Sequence, residues 1–183
     1  MAPPPEGPFF ARISYKKGMS HPSLNASELI AWNNSITRKW HDFLAAEPKV
    51  LDLPCDVFGA GTVRGLLRHI VAAEIRYADL LAAYPPGDYA NLPAASIEEI
   101  FEPHDRALRI LDALIKTADY DWDIRLEFKT LTLGMRRAPR RAILFHAMLH
   151  GIRHYAQLST IVRGAGYTPS IVQDYLPMDS EPA

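Results

Sequence analysis

The sequence contains a single cysteine and no apolar run long enough to cross a membrane. Cys55 is the one thiol among 183 residues, which excludes an intrachain disulfide and is typical of a reducing compartment. A spanning helix needs roughly 18 consecutive apolar residues, and no stretch reaches that length. The first residues also lack the basic leader and apolar core of a secretory signal. From these absences we expect a cytoplasmic protein with no membrane partner.

An excess of charge of either sign is also missing. The 20 lysines and arginines nearly balance the 21 aspartates and glutamates, and the formal net charge is −1. Proteins that bind nucleic acid usually carry a basic face, so this balance predicts no nucleic-acid partner. The one local excess is the basic cluster RRAPRR at 136–141. We interpret it as a solvated helix start, with an anion-binding edge as the alternative.

Several common catalytic motifs are absent as well. The sequence has no glycine-rich phosphate loop after a strand, no G-x-S-x-G elbow and no cysteine cluster. Asp119, Asp121 and Asp123 alternate, but no helix–loop–helix calcium pattern surrounds them, so we interpret them as a solvated loop. Chemistry in this chain therefore has to come from another set of side chains.

Four segments show the apolar spacing of long helices, in a composition ordinary for a soluble globular protein. Capping residues predict the starts: Asn25 or Ser27, then Thr62, then Ser96 with Glu99. Pro103 in the third segment indicates a kink or a later start near Glu102. The predicted helices cover about 25–46, 63–83, 97–116 and 140–166. The sequence thus predicts an all-α four-helix bundle in a single domain, 1–183.

The remaining segments are expected to be irregular or extended. Residues 1–23 form a proline-rich N-terminal arm, and 167–183 form an irregular C-terminal tail. A loop joins the first two helices at 48–62. In 121–135 apolar residues alternate with charged ones, which predicts a short extended segment, read as a hairpin, before the last helix.

Three of the seven histidines lie on the fourth predicted helix at four-residue spacing. At about 100° per residue, His150 and His154 fall about 20° to either side of the centre of its apolar face. His146 falls about 60° away, near Arg153 on the polar flank. Two buried imidazoles one turn apart can be hydrogen-bonded core residues or can chelate one metal ion. Leaving them unpaired would cost about 1–3 kcal/mol for each group.

A metal site needs a third ligand from elsewhere in the bundle. His69, at the edge of the buried face of the second helix, is the best candidate, and His104 on the third helix is the second. No glutamate follows His150 as a zinc-protease motif would require, so metalloproteolysis is disfavoured. Three histidines would leave one coordination position open, which is the pattern of a catalytic site.

Two stretches resemble sequence signatures of the DinB-like superfamily. GTVRGLLRHIVAAEIRYADLL is similar to its second-helix signature, and LFHAMLHGIRHYAQLSTIVRGAGY is similar to its last-helix signature, HxxxHxxxHxxQ. The resemblance covers roughly residues 25–166. It implies an up-down-down-up bundle, often a homodimer, whose metal ligands correspond to His69, His150 and His154. The family's commoner last-helix sequence is HHRGQ, whereas this chain has Arg153, His154, Tyr155, Ala156 and Gln157 there. The chain keeps the ligand-type histidine and the glutamine and loses the arginine and the glycine of the family sequence. This departure concerns chemistry that depends on the family's arginine and not the metal ligands.

The resemblance implies a metal-dependent enzyme, and we expect a divalent ion: Zn, Ni, Fe or Mn. The similar proteins include transferases and isomerases that use low-molecular-weight thiols, so a small-molecule substrate with such a thiol, or hydrolysis, is the leading hypothesis. The alternatives are a non-enzymatic dimeric stress-response protein with a structural or sensory metal, and a metal-free bundle. In the latter, Trp32, Trp40, Leu144, Ile152 and Val162 would form a dimer seam. Around the metal or in its pocket we place Gln157, His146, Glu74, Arg153 and His104.

Overall fold

Four long α-helices account for most of the described chain. The computed structural model describes residues 24–178 and 180, so the predicted arm 1–23 and the end of the predicted tail lie outside the described residues. The helices are α1 (Ala26–Ala46), α2 (Val63–Leu81), α3 (Ile97–Lys116) and α4 (Arg140–Gly164). The prediction of four helices is confirmed. The up-down-down-up course of the bundle stays a prediction.

The helix starts follow the capping residues of the sequence. The Asn25 side chain accepts a hydrogen bond from the backbone N–H of Glu28, whose carboxylate accepts from the backbone N–H of Asn25. Ser96 and Glu99 form the same reciprocal box at the start of α3. This box fixes the first turn at Ile97, so the alternative start near Glu102 is wrong.

The core lies between the helices, with α1 and α2 each packed against both α3 and α4. Trp40, Leu144 and Val162 are at most 1% exposed and belong to this core. These three side chains are therefore unavailable to the predicted dimer seam, because the interior of the same chain already covers them. Within the described residues, no helix is both long enough and apolar enough to span a bilayer.

The connection between α1 and α2 contains more structure than the predicted loop. Two 3₁₀ turns, Pro48–Asp52 and Val57–Gly59, alternate with a two-residue antiparallel pair, β1 (Pro54–Cys55) and β2 (Gly61–Thr62). The pairing brings the ends of the loop together directly before α2 begins. The second turn is thereby held against the first part of α2, where His69 lies.

A β-hairpin precedes α4, as the alternating pattern predicts. β3 (Arg125–Thr130) pairs antiparallel with β4 (Gly134–Pro139), so the extended segment runs four residues past the predicted end at Met135. Exposed residues with little alternation make up most of β4, and their pairing with β3 is what makes them a strand. The Phe128 ring packs edge-on against Tyr77 of α2 at 5.9 Å between ring centroids.

The described part of the C-terminal segment is irregular apart from a 3₁₀ turn at Leu176–Met178. It runs along α1 and α4, where the Trp32 indole donates to the Gln173 carbonyl at 2.9 Å. The Gln173 side chain donates in turn to the Tyr155 carbonyl at 3.2 Å. These bonds tie the segment to α1 and α4.

Candidate metal centre

Three histidines from two helices meet at one point of the bundle. His69 comes from α2, and His150 and His154 come from successive turns of α4. One ring nitrogen from each lies within 4.8 Å of the others. The ring centroids are 4.9 Å apart for His69 and His150, 5.0 Å for His69 and His154, and 4.4 Å for His150 and His154. A cluster of this size could hold one metal ion.

The tautomer of His154 is set by Gln157, one turn further along α4. The side-chain oxygen of Gln157 lies 2.6 Å from Nδ1 of His154 and accepts a hydrogen bond from it. Because Nδ1 carries the proton, the lone pair of the neutral ring is on Nε2. That atom lies 3.2 Å from Nε2 of His150. Gln157 therefore presents Nε2 of His154 as the ligand atom.

The donor atoms fit a divalent cation. Nε2 of His69 is buried and has no hydrogen-bond partner among the described residues. Nε2 of His150 faces the lone pair of His154, and two such lone pairs repel unless a proton or a cation lies between them. Neutral imidazole nitrogen is a good ligand for zinc, nickel and iron, and each ring can supply one such atom here.

The protonation of the cluster also favours a cation. Burial, followed by the neighbouring His154, His69, Arg153 and His146, lowers the pKa of His150 to about 3. Burial lowers the pKa of His154 to about 4 despite the hydrogen bond to Gln157. The pKa of His69 is lowered by burial and then by Arg153. All three rings are therefore neutral at pH 7, with lone pairs available to a metal.

Arg153 lies at the edge of the cluster. Its side chain is exposed, and Nη2 lies 3.0 Å from Nε2 of His154, so the guanidinium donates to that ring nitrogen. This is the same nitrogen that Gln157 leaves free for a metal. The sequence predicts Arg153 as a pocket residue on the polar flank of α4, but periodicity cannot indicate that it contacts a ligand atom.

His146 lies one turn before His150 on α4 and is exposed. Its ring centroid is 5.7 Å from that of His150 and 5.2 Å from that of Tyr77. Burial of part of the ring, followed by the charge of Arg153, lowers the pKa of His146. The structure thus places a fourth, exposed imidazole beside His150.

Phe58 is a site residue that the sequence analysis missed. Its ring stacks on His69 at 4.6 Å between centroids and 29° between planes, while the residue is 54% exposed. The backbone φ of Phe58 is +52°, in the left-handed region that non-glycine residues rarely adopt. The signal in the sequence was weak: an apolar residue directly before the Gly59–Gly61 pair, in a segment read as loop.

Glu74 and His104 lie apart from the three-histidine cluster, bound to each other. Both are 0% exposed, and Oε2 of Glu74 lies 2.7 Å from Nδ1 of His104. The other ring nitrogen of His104 lies 3.2 Å from the side-chain oxygen of Asn34. His104 therefore has partners for both nitrogens, and the third member of the cluster is His69.

A comparison with known protein families identifies the family of this chain. The model of the DinB family matches residues 19–182, nearly the whole sequence. The chain belongs to the DinB family. No curated protein matches the sequence. Membership in the DinB family and the three-histidine cluster agree with each other, and together they describe a DinB-family protein that could bind a metal ion.

Proposed function

We propose that this DinB-family protein is a metal-dependent enzyme that transfers a small-molecule thiol to an electrophilic substrate. Its divalent ion, one of Zn, Ni, Fe and Mn, is held by His69, His150 and His154. When bound, such an ion supplies Lewis acidity that lowers the pKa of a thiol or a water beside it. The observation that carries the proposal is the convergence of three neutral ring nitrogens within 4.8 Å.

The ligand count favours catalysis over a structural role. A structural site normally has four protein ligands, whereas three leave a position for a substrate atom. Among the described residues, the group that could hold a metal consists of three histidines alone. Glu74 and His104, which could have completed a closed site, are bound to each other instead. The alternative of a stress-response protein with a structural or sensory metal is therefore the weaker reading.

The surrounding side chains have roles suited to thiol transfer. His146 is neutral, exposed and next to His150, so it can accept the proton that the thiol loses. The thiolate sulfur then bonds to the electrophilic carbon, and the leaving group departs with the electron pair of the broken bond. Phe58 covers one face of His69 and excludes water from that side. Hydrolysis is the neighbouring variant, in which water loses its proton to His146.

The first test is metal content per chain, measured by elemental analysis of protein purified without a histidine tag. Wild-type protein is expected to carry near one equivalent, and His150→Ala very little. His41→Ala is the matched control, since His41 lies on α1 and its ring packs on Phe101. Equal metal in all three proteins, or none in any after incubation with Zn, Ni and Mn, would contradict the proposal.

The second test addresses the reaction. Metal-loaded wild-type protein should consume a small thiol together with an alkyl or aryl electrophile, and the metal-free protein should not. A loaded protein that neither consumes thiol nor hydrolyses simple esters and amides would exclude both variants. The homodimer implied by the family and a cytoplasmic location are further parts of the proposal, and sedimentation of the purified protein tests the first.

A further inference from the structure

The candidate centre, with a divalent ion bound, has a positive charge that no carboxylate of the site balances. The inference drawn from this charge rests on the proposed function. The three clustered histidines are neutral ligands, so they offset none of the charge of a divalent ion. Arg153 adds a further positive charge at the same place. No carboxylate is part of the metal-holding group among the described residues. A pocket of this kind attracts an anion.

Arg153 differs in its partner from the arginines of the described chain that pair with carboxylates. Six arginines lie within 4.0 Å of a carboxylate: Arg38, Arg64, Arg106, Arg109, Arg137 and Arg141. Arg153 instead donates to the neutral ring of His154. Its remaining N–H groups have no carboxylate partner within the part of the chain that the structure describes. A guanidinium has five donors in a planar fork, and the partner that matches this fork is a carboxylate.

The contact with His154 cannot persist once a metal binds. Gln157 occupies Nδ1 of His154, so Nε2 carries the one lone pair that both a metal and Arg153 can use. A metal on that lone pair displaces the donor, and like charge drives the guanidinium away from the ion. Arg153 is exposed and has room to move. Metal binding would thereby free the guanidinium of Arg153 at the edge of the histidine cluster.

We infer that Arg153 is the specificity residue of this centre and that it binds the carboxylate of an anionic substrate or thiol. Without a metal, the guanidinium donates a hydrogen bond to Nε2 of His154. With a metal bound, it would donate instead to the carboxylate of the substrate or thiol. Arg68 is next to His69 in sequence and is the alternative arginine. The pKa values of all four histidines at the centre are lowered by Arg153, and Arg68 contributes to none of these shifts.

The test uses full-length protein loaded with Co²⁺, whose visible absorption reports on its surroundings. Wild type, Arg153→Gln and Arg163→Gln are titrated with acetate and with acetamide, its neutral analogue, at constant ionic strength. Arg163 is the matched control, an exposed arginine in the last turn of α4. Wild type and Arg163→Gln should respond saturably to acetate and not to acetamide. Arg153→Gln should bind acetate about tenfold or more weakly, as expected for a lost charge-assisted pair.

A second readout separates this role from a purely structural one. Competition with a chelator should show that Arg153→Gln binds Co²⁺ more tightly than wild type, because Nε2 of His154 no longer has a competing donor. Weaker metal binding in this variant would overturn the inference. So would an unchanged acetate affinity in Arg153→Gln, or a wild-type spectrum that does not respond to acetate.

The source of the carboxylate is distinguished by a pair of thiols. If the carboxylate belongs to the thiol, mercaptoacetate should bind loaded wild-type protein about tenfold more tightly than 2-mercaptoethanol, and Arg153→Gln should lose that preference. If it belongs to the other substrate, the two thiols bind alike while acetate still responds to Arg153. Failure to take up Co²⁺ at all would overturn the proposed function itself, whereas uptake without an acetate response overturns only the role of Arg153.

Discussion

The amide oxygen of Gln157 lies 2.6 Å from Nδ1 of His154, and this contact decides which nitrogen of His154 faces the other histidines. The two residues are three apart on α4, so the helix itself places the acceptor beside the ring. An imidazole without this partner could rotate or change tautomer, and Nε2 would then no longer be presented reliably to a metal. The metal affinity of the cluster should therefore depend on a residue that does not itself bind the ion.

The first prediction concerns this residue. Gln157→Ala should weaken metal binding about 10- to 100-fold, the usual effect of removing the partner of a metal-bound histidine. Gln157→Glu keeps an acceptor at the same place and should retain most of the affinity. Thr160→Ala, at an exposed position one turn away, is the control. Chelator competition measures all three variants, and an unchanged affinity in Gln157→Ala would show that packing alone orients His154.

Gly151 provides the second prediction, since a side chain at this position of α4 would meet buried polar groups. A Cβ added at this position would lie 2.7 Å from the Asn33 amide nitrogen and 2.9 Å from Oε1 of Glu74. Gly151→Ala should therefore lower the free energy of unfolding by about 1–3 kcal/mol and displace His150 and His154. Thermal unfolding and metal content measure the two effects.

Gly164→Ala is the matched control in the same helix. Nothing lies within 4 Å of a Cβ built there, and alanine favours the helical conformation by up to about 1 kcal/mol over glycine. This variant should be as stable as wild type or more so. If both glycine variants lose stability equally, close packing at Gly151 is not the cause.

The parts of the site that follow from helical periodicity were predictable from the sequence. Spacing alone put His150 and His154 on the buried side of α4 and His146 on its flank, and a four-residue repeat specifies a face before the fold is known. The helix caps at Asn25, Thr62 and Ser96 were equally local signals. The sequence therefore predicted the features that a single helix determines by itself, namely its buried face and its first capped turn.

The contacts between elements could not be predicted in the same way. Glu74 was expected around the metal or in its pocket, but its partner His104 lies 30 residues away on another helix. Phe58 reaches His69 because a short strand pair closes the loop, a pairing of two residues on each side that leaves no alternating pattern. The hairpin was recognised from β3 alone, since β4 carries polar residues that become a strand only by pairing.

The buried pair of Glu74 and His104 yields the third prediction. Each side chain is fully buried, so removing one leaves the other uncompensated. Glu74→Ala and His104→Ala should each lower the free energy of unfolding by about 3–5 kcal/mol. The double variant should cost less than the sum, because the two losses have one cause. Urea unfolding measures the cycle.

The exposed pair of Lys116 and Asp112 serves as the reference for that cycle. Its atoms are 2.7 Å apart, as close as those of the buried pair, but both side chains are largely in water. Removing either should change stability by no more than about 0.5 kcal/mol. If the two pairs behave alike, burial does not determine the strength of the Glu74–His104 interaction.

The fourth prediction concerns Phe58, whose ring covers His69. Burial is the first cause of the lowered pKa of His69, so Phe58→Ala should let water reach the ring and raise that pKa toward its ordinary value. Proton NMR titration of the histidine ring signals measures the change. Phe43→Ala is the control, because its ring packs on Trp40 and not on a histidine of the cluster. A pKa of His69 that is unchanged in Phe58→Ala would assign the shift to other neighbours.

The fifth prediction follows from the low pKa values of the clustered histidines. In the unfolded chain each histidine has a pKa near 6.5, whereas the folded values are about 3 for His150 and about 4 for His154. Below pH 6.5 the unfolded state binds more protons than the folded state, so stability falls as pH decreases from 6.5 toward 4. The free energy of unfolding then changes by at most about 1.4 kcal/mol per pH unit for each histidine that is protonated only in the unfolded state.

Metal-free protein should therefore unfold at lower urea concentration at pH 5.5 than at pH 7. His150→Ala removes a ring that binds a proton in the unfolded state and not in the folded state, so the variant should show a weaker dependence of stability on pH. His41→Ala should keep the wild-type dependence. The pH range matters, because most carboxylates titrate below it and contribute little to the difference. If His150→Ala and wild type lose stability in parallel between these two pH values, the neutral state of the cluster does not oppose protonation. The lone pairs of the cluster would then not be available to a metal at pH 7.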